Sequence, residues 1–288
     1  MPLAAKALRA AVICVGVVLS GAARCEGIDT EHLFGFMIGS DVGEKGEHEF
    51  QSQTTGRFGK DGGRYRAADQ EFELEFVPAS NFRVEVGSAF AGHDIRGISD
   101  LDDRRQLTWQ GVSLDLRYRF LDHDAAPFGM TVSWQNEVDR IDDTTGAAAR
   151  QYGTAFRVAF DREIVPNLAI AALNLFYQPE WTRFAGTNET ERDSTLGAAF
   201  AVMAQVRPGI LFGGEARYVR RYDGLGLDAL AGQALFVGPT VYFKLSDRSR
   251  LTAAWSVQAW GRAAGSAASL DLLDFERQQA RLTFGVNF

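Results

Sequence analysis

Apolar and polar residues alternate with a period of two through most of the chain beyond residue 46. In Phe72-Glu73-Leu74-Glu75-Phe76 the even positions are apolar and the odd ones charged, which assigns the two sets to opposite faces of an extended strand. The same period returns with Val112, Leu114, Leu116, Tyr118 and Phe120 set against Ser113, Asp115, Arg117 and Arg119. It recurs with Tyr152, Phe156, Val158 and Phe160, with Leu196, Phe200, Val202 and Val206, and with Leu282, Phe284, Val286 and Phe288. Helical spacing is almost absent. No apolar run after the first residues is long enough for a membrane-spanning helix.

Two kinds of connection separate the strands. Short ones, often with proline or asparagine, fall at 78–81, 122–127, 161–167, 207–209 and 246–249, residue types that preset or tolerate turn geometry. Longer polar ones rich in Gly, Asp and Thr fall at 60–66, 93–105, 142–150, 185–193, 223–232 and 262–277. Short turns at one end and long loops at the other describe an all-β, antiparallel, up-and-down transmembrane β-barrel of about 12 strands, with the short turns periplasmic and the long loops extracellular. Either Leu33 to Val42 or Glu47 to Gly59 supplies the first wall strand, and the second is favoured. Residues 47–288 then form the barrel, and residues 26–46 form a segment in the periplasm or folded into the lumen.

Periodicity alone also allows a soluble barrel or sandwich with its greasy face inward. The N-terminus weighs against that, because Lys6 and Arg9 precede the apolar run Ala10 to Leu19 and the small residues Ser20 to Ala23. That is a secretory signal peptide, residues 1–25, with cleavage after Ala23 or Cys25. Phe76, Phe82, Phe120, Phe128 and Phe160 flank the short turns on the apolar face, while Tyr152, Trp181 and Tyr218 sit toward the long loops. Two such aromatic girdles fit two membrane interfaces. The expected location is a bacterial outer membrane, with lipid as the surrounding partner.

Phe284, Val286 and Phe288, in the closing strand Ala280 to Phe288, resemble the terminal signal read by the outer-membrane assembly machinery. More broadly, Gly43-Glu44-Lys45-Gly46-Glu47, Leu101-Asp102-Asp103-Arg104 and Asp223-Gly224-Leu225-Gly226-Leu227-Asp228 resemble a largely uncharacterised proteobacterial outer-membrane β-barrel family. That family includes transporters associated with the meta pathway of phenol degradation. The resemblance implies a barrel and a transport role, without a solute.

The net charge of −7 and the lack of any basic stripe exclude a nucleic-acid partner, since neutralising phosphates takes clustered Lys and Arg. The two cysteines, Cys14 and Cys25, fall within or beside the leader, so no disulfide framework is available. A monomer is the expected state.

In a barrel the face opposite lipid lines the lumen. The pattern there predicts a charge network of Glu71, Glu73, Glu75, Arg83, Glu85, Asp115, Arg117, Arg119, Glu137, Asp139 and Arg157. A hairpin through 78–81 with Phe76 beside Phe82 would set Glu75 opposite Arg83 and Glu73 opposite Glu85. The network either polarises a water-filled path or rigidifies a blocked one. Farther along, Gly197, Ala199, Ala201 and Met203 leave room, and Phe176, Phe236, Tyr242 and Trp260 supply an apolar wall, suiting a small amphipathic or aromatic solute or a packed plug.

Catalytic candidates are few. His93-Asp94 enters a loop with Asp100, Asp102 and Asp103, but neighbours on a strand face opposite ways. No nucleophile elbow, phosphate loop or paired metal-ligand histidine occurs; no cofactor or metal is expected. The leading expectation is a passive channel for small solutes rather than an enzyme. The alternative is a closed barrel with a structural or surface-interaction role.

Overall fold

The computed structural model describes residues 27–123, 125–187 and 189–288; the expected signal peptide, with Cys14 and Cys25, lies outside the described residues. Twelve strands follow in order: β1 His48–Phe58, β2 Gly62–Ala79, β3 Phe82–Ile98, β4 Arg104–Leu121, β5 Gly129–Ile141, β6 Ala148–Val165, β7 Ala169–Phe184, β8 Thr190–Arg207, β9 Ile210–Asp223, β10 Leu230–Lys244, β11 Ser249–Ala263 and β12 Gln278–Asn287. Each pairs antiparallel with its neighbours in sequence, and β1 pairs with β12 to close an up-and-down barrel without edges. Glu49 lies opposite Asn287 and Phe58 opposite Gln278 along that seam. The first wall strand is therefore the 47–59 segment. Residues 33–42 do not pair into the wall.

Polarity is inverted relative to a water-soluble barrel. Phe72, Leu74 and Phe76 are 38–50% exposed on the outer face, whereas Glu49, Glu75 and Arg83 inside are at most 4% exposed. Outward rings pair across strands, Phe50 with Phe72 at 6.1 Å and Trp134 with Phe156 at 6.5 Å between centroids. Such pairs contribute about 0.5–1.5 kcal/mol beyond area burial. Near the short turns, His48 stacks between Phe76 and Phe288 at 6.5 and 6.1 Å. Phe288 thus follows the last residue of β12, at the end of the barrel where β1 begins, its amide donating to the His48 carbonyl at 3.0 Å.

Connections at that end are brief: 80–81, 122–128, 166–168, 208–209 and 245–248. In the Arg207-Pro208-Gly209-Ile210 turn, Pro208 presets the first corner and Gly209 takes φ +76° at the second, a conformation a Cβ would strain. The opposite connections, 59–61, 99–103, 142–147, 185–189, 224–229 and 264–277, are shorter than their polar composition suggests. The strands run on past the apolar band, with Arg64, Asp94 and Arg96 pairing on the outer surface there. Polarity marks the end of the greasy belt, not the end of hydrogen bonding.

Two features of register differ from the sequence pattern. Glu75 lies opposite Glu85 because β2 continues through Pro78 to Ala79 and the bulge between Phe76 and Ala79 shifts the pairing, and in the next pair of strands Arg83 lies opposite Arg117. Trp260, expected in the apolar lumen wall, stands on the outer face, 38% exposed. On β11, Trp260 pairs with Leu235 and Gln258 with Phe236, leaving Ala259 as an extra residue. One inserted residue reverses the parity of everything beyond it.

Candidate functional site

Residues 27–46 enter the barrel from the short-turn end and fold back on themselves. Asp41 clasps the loop by accepting hydrogen bonds from the Thr30 amide and hydroxyl at 2.9 and 3.0 Å. Gly39 crosses so close that a Cβ would lie 1.9 Å from the Thr30 carbonyl oxygen. With no strand partner, the loop has backbone donors to satisfy, and lumen side chains accept them. Glu215 accepts from the Gly35 and Phe36 amides at 2.6 and 2.9 Å, Asn174 from Ile38 at 2.9 Å, and Asp161 from Ser40 at 2.6 Å. The segment is a plug built into the hydrogen-bond system of the wall.

On one side the plug meets charge. Arg83, 1% exposed, reaches Glu31 of the plug at 2.8 Å and Glu75 and Glu85 of the wall at 3.2 Å each. Arg117 extends the chain to Glu85 at 3.5 Å and Asp115 at 3.3 Å, and Arg157 approaches Asp115 at 3.7 Å. Like charges face each other directly across the strands, so diagonal contacts supply the compensation. Arg119 ties Asp41 of the plug to Asp122 of the adjacent turn at 3.3 and 2.9 Å. Higher in the lumen, Glu71 accepts from Ser113 at 2.9 Å, Glu73 from Gln51, and Glu137 from Gln135. Asp139 sits beside Gln110 at 3.4 Å.

On the other side the plug meets packing. Leu33, Phe34 and Met37 bury themselves against Ile170, Ala172, Ala199, Ala201, Met203 and Leu211, with Tyr242 at the edge. The small residues of β8 make the recess that the plug fills. Phe176 and Phe236 pack with Val219 and Ala234 nearby. Between the two sides, Phe36 lies under the guanidinium groups of Arg217 and Arg281, 4.2 and 4.9 Å from its ring centre. A cavity of about 300 Å³ remains around Phe36, reaching Glu71, Glu137, Arg157 and Phe176.

The opposite end is also covered. The 142–147 loop folds inward, with Asp143 2.7 Å from Arg57 and its carbonyl accepting from His93 at 2.9 Å, while Tyr65 donates to the Thr144 carbonyl at 2.9 Å. Burial would raise the Asp143 carboxyl, but Arg57 outweighs it and holds the group down at about 2. The 264–277 loop contributes Leu273, whose carbonyl accepts from Lys60 at 2.8 Å, and Phe275, which meets Phe236 edge-on. His93 is thus an inward loop contact, and Asp94 pairs outward with Arg64; no dyad forms.

Glu49, Asp161, Asn174, Glu215, Arg217 and Arg250 also hold the plug or line the lumen and were not singled out from the sequence. Each was reachable by extending strand parity, Glu215 and Arg217 for instance alternating with outward-facing Tyr218. What parity could not supply was the segment they hold.

In sequence, residues 26–288 match the model of a family of unknown function, DUF6662, and no curated protein matches. Among solved structures, the chain is similar to the COG4313 outer membrane channel from Pseudomonas putida F1, at 10% identity and a TM-score of 0.58, covering 86% of this chain and 98% of that one. It also aligns with the NanC porin at 8% identity and a TM-score of 0.49, covering 83% and 100%, and with the translocator domain of the autotransporter NalP from Neisseria meningitidis at 15% and 0.46, covering 86% and 90%. None of these shows the resemblance to phenol-pathway transporters. The match over residues 26–288 means that the protein belongs to the family of unknown function DUF6662.

Proposed function

We propose that this chain is an outer-membrane channel for passive passage of small solutes, closed in this conformation by residues 27–46. The observation that carries the reading is the inverted barrel: apolar residues outside, and inside a hydrogen-bonded charged wall around a loop that belongs to none of the strands. A loop held mainly by side chains can leave without breaking the wall. A solute path would then run between the Glu71 to Arg157 network and the recess of Ala199, Ala201 and Met203. That pairing of charge with small apolar residues suits small amphipathic or aromatic molecules. The similar fold named as an outer membrane channel supports the class of activity. Export through the leader 1–25 and recognition of Phe284, Val286 and Phe288 by the assembly machinery complete the proposal. The chain is read as a monomer with no catalytic role.

The covering of the far end by 142–147 and 264–277 favours a second reading, a permanently closed structural barrel. Planar-bilayer recordings separate the two. The whole chain should open rarely, and a variant lacking residues 27–46 should conduct steadily. A variant that folds, runs as a heat-modifiable band and stays silent would sink the channel reading.

A further inference from the structure

The plug meets the wall at one place where polar atoms are buried without partners. His32 Nε2 and Glu75 Oε2 have no hydrogen-bond partner among the described residues, although the side chains are only 9% and 3% exposed. His32 Nε2 lies 3.7 Å from Glu31 Oε2 and 3.7 Å from Glu75 Oε2. That is too long for a hydrogen bond. It is close to the edge of a tetrahedral metal centre, where ligands at 2.0–2.2 Å stand about 3.3–3.6 Å apart.

We propose that Glu31, His32 and Glu75 bind a divalent transition-metal ion of the zinc type, which bridges the plug to β2. The three ligand atoms lie within 4.8 Å of one another. Arg83 orients two of the ligands by holding the far oxygens, Glu31 Oε1 at 2.8 Å and Glu75 Oε1 at 3.2 Å, and leaves the near oxygens aimed at His32. This is the outer-shell arrangement that fixes metal-binding carboxylates. Glu31, Glu49, Glu75 and Glu85 meet Arg83, Arg117 and Arg250 here, so carboxylates still outnumber the guanidinium groups. Glu49, forked on Arg250, stands 3.7 Å from His32 Nε2 and flanks the fourth position. One imidazole among carboxylates suits zinc-type ions better than calcium or magnesium, which prefer oxygen alone. A cavity of about 410 Å³ lined by Asp29, Glu47 and Lys244 leads to Glu31 and His32 from the short-turn end.

The test is Zn²⁺ binding by the folded full chain in detergent, which does not depend on conductance. About one equivalent should bind, with an X-ray absorption spectrum showing imidazole among oxygen ligands. His32→Ala and Glu75→Gln should each weaken binding at least tenfold, and Zn²⁺ should slow proteolysis of the 27–46 segment at least tenfold in the wild type only. Absence of binding at micromolar Zn²⁺, an oxygen-only spectrum, or unchanged affinity in Glu75→Gln would overturn the site. Should His32→Ala not fold, Glu75→Gln and the spectrum decide.

Discussion

The arc from β2 to β6 and the arc from β7 to β9 hold the same plug by different physics. The first is built on shared ions, with Arg83 bridging Glu31, Glu75 and Glu85. The second adds shape to the acceptors Asn174 and Glu215, with Leu33, Phe34 and Met37 filling a recess that Ala199 and Ala201 leave open. A buried ion network adds little net stability but is costly when one member is lost. A packed recess is graded, responding to volume in either direction. The charged arc therefore sets where the plug sits, and the apolar arc sets how tightly.

The sharpest way to break this contrast is Arg83→Met, which strands Glu31 and Glu75 in the lumen and leaves Glu85 to Arg117 alone. Urea unfolding followed by Trp fluorescence should show a loss of about 3–5 kcal/mol, against almost none for Arg96→Met on the outer surface, where the side chain is 54% exposed. Equal effects would mean that the lumen ions act as surface ions do. Leu33→Ala should cost about 2–5 kcal/mol of plug docking through the cavity it leaves. That loss should appear as faster protease cleavage within 27–46 while the barrel stays folded. Ala201→Leu should expel the plug from the opposite direction by overpacking, at about 1–3 kcal/mol.

Where the two arcs meet, Phe36→Leu keeps an apolar side chain but removes the ring under Arg217 and Arg281. A loss of about 1–2 kcal/mol in plug docking is expected, read by cysteine labelling at a plug position. Docking unchanged by this substitution would show that the arginines use Phe36 only as filler.

The smallest effect concerns pH. Asp161 hydrogen-bonds His123 at 2.6 Å and also holds Ser40 of the plug, and this bond raises the His123 imidazole above its ordinary 6.5. A raised folded value means that the stabilisation is complete below pH 6.5 and disappears as pH climbs through the higher folded value. Protease access to the plug should therefore rise modestly between pH 6 and pH 9, and His123→Asn should flatten the profile. A profile that keeps its slope in the variant would assign the dependence elsewhere.

The alternation that made the fold legible is strict only where a strand is regular. Glu73, Glu75, Arg83, Asp115 and Arg117 could be assigned to the lumen because β2 to β4 keep their period around these residues, the β4 bulge at Gln110 lying beyond them. Trp260 could not be placed, since the bulge at Ala259 leaves no mark in the residue pattern. The opposition of Glu75 and Glu85 was likewise hidden in a turn that is tighter than its proline suggested. Period-two patterning carries the face of a residue but not its partner, and register depends on turns and bulges a residue or two long.

The sequence by itself determined a closed antiparallel barrel with charge on one face, because alternation, turn residues and an aromatic belt each arise within a strand and its neighbours. Tertiary structure alone decided that the lumen is filled, and with what. Residues 27–46 have no periodicity, and their position follows from the scattered partners Arg83, Asp161, Asn174 and Glu215, which only closure of the barrel brings around them.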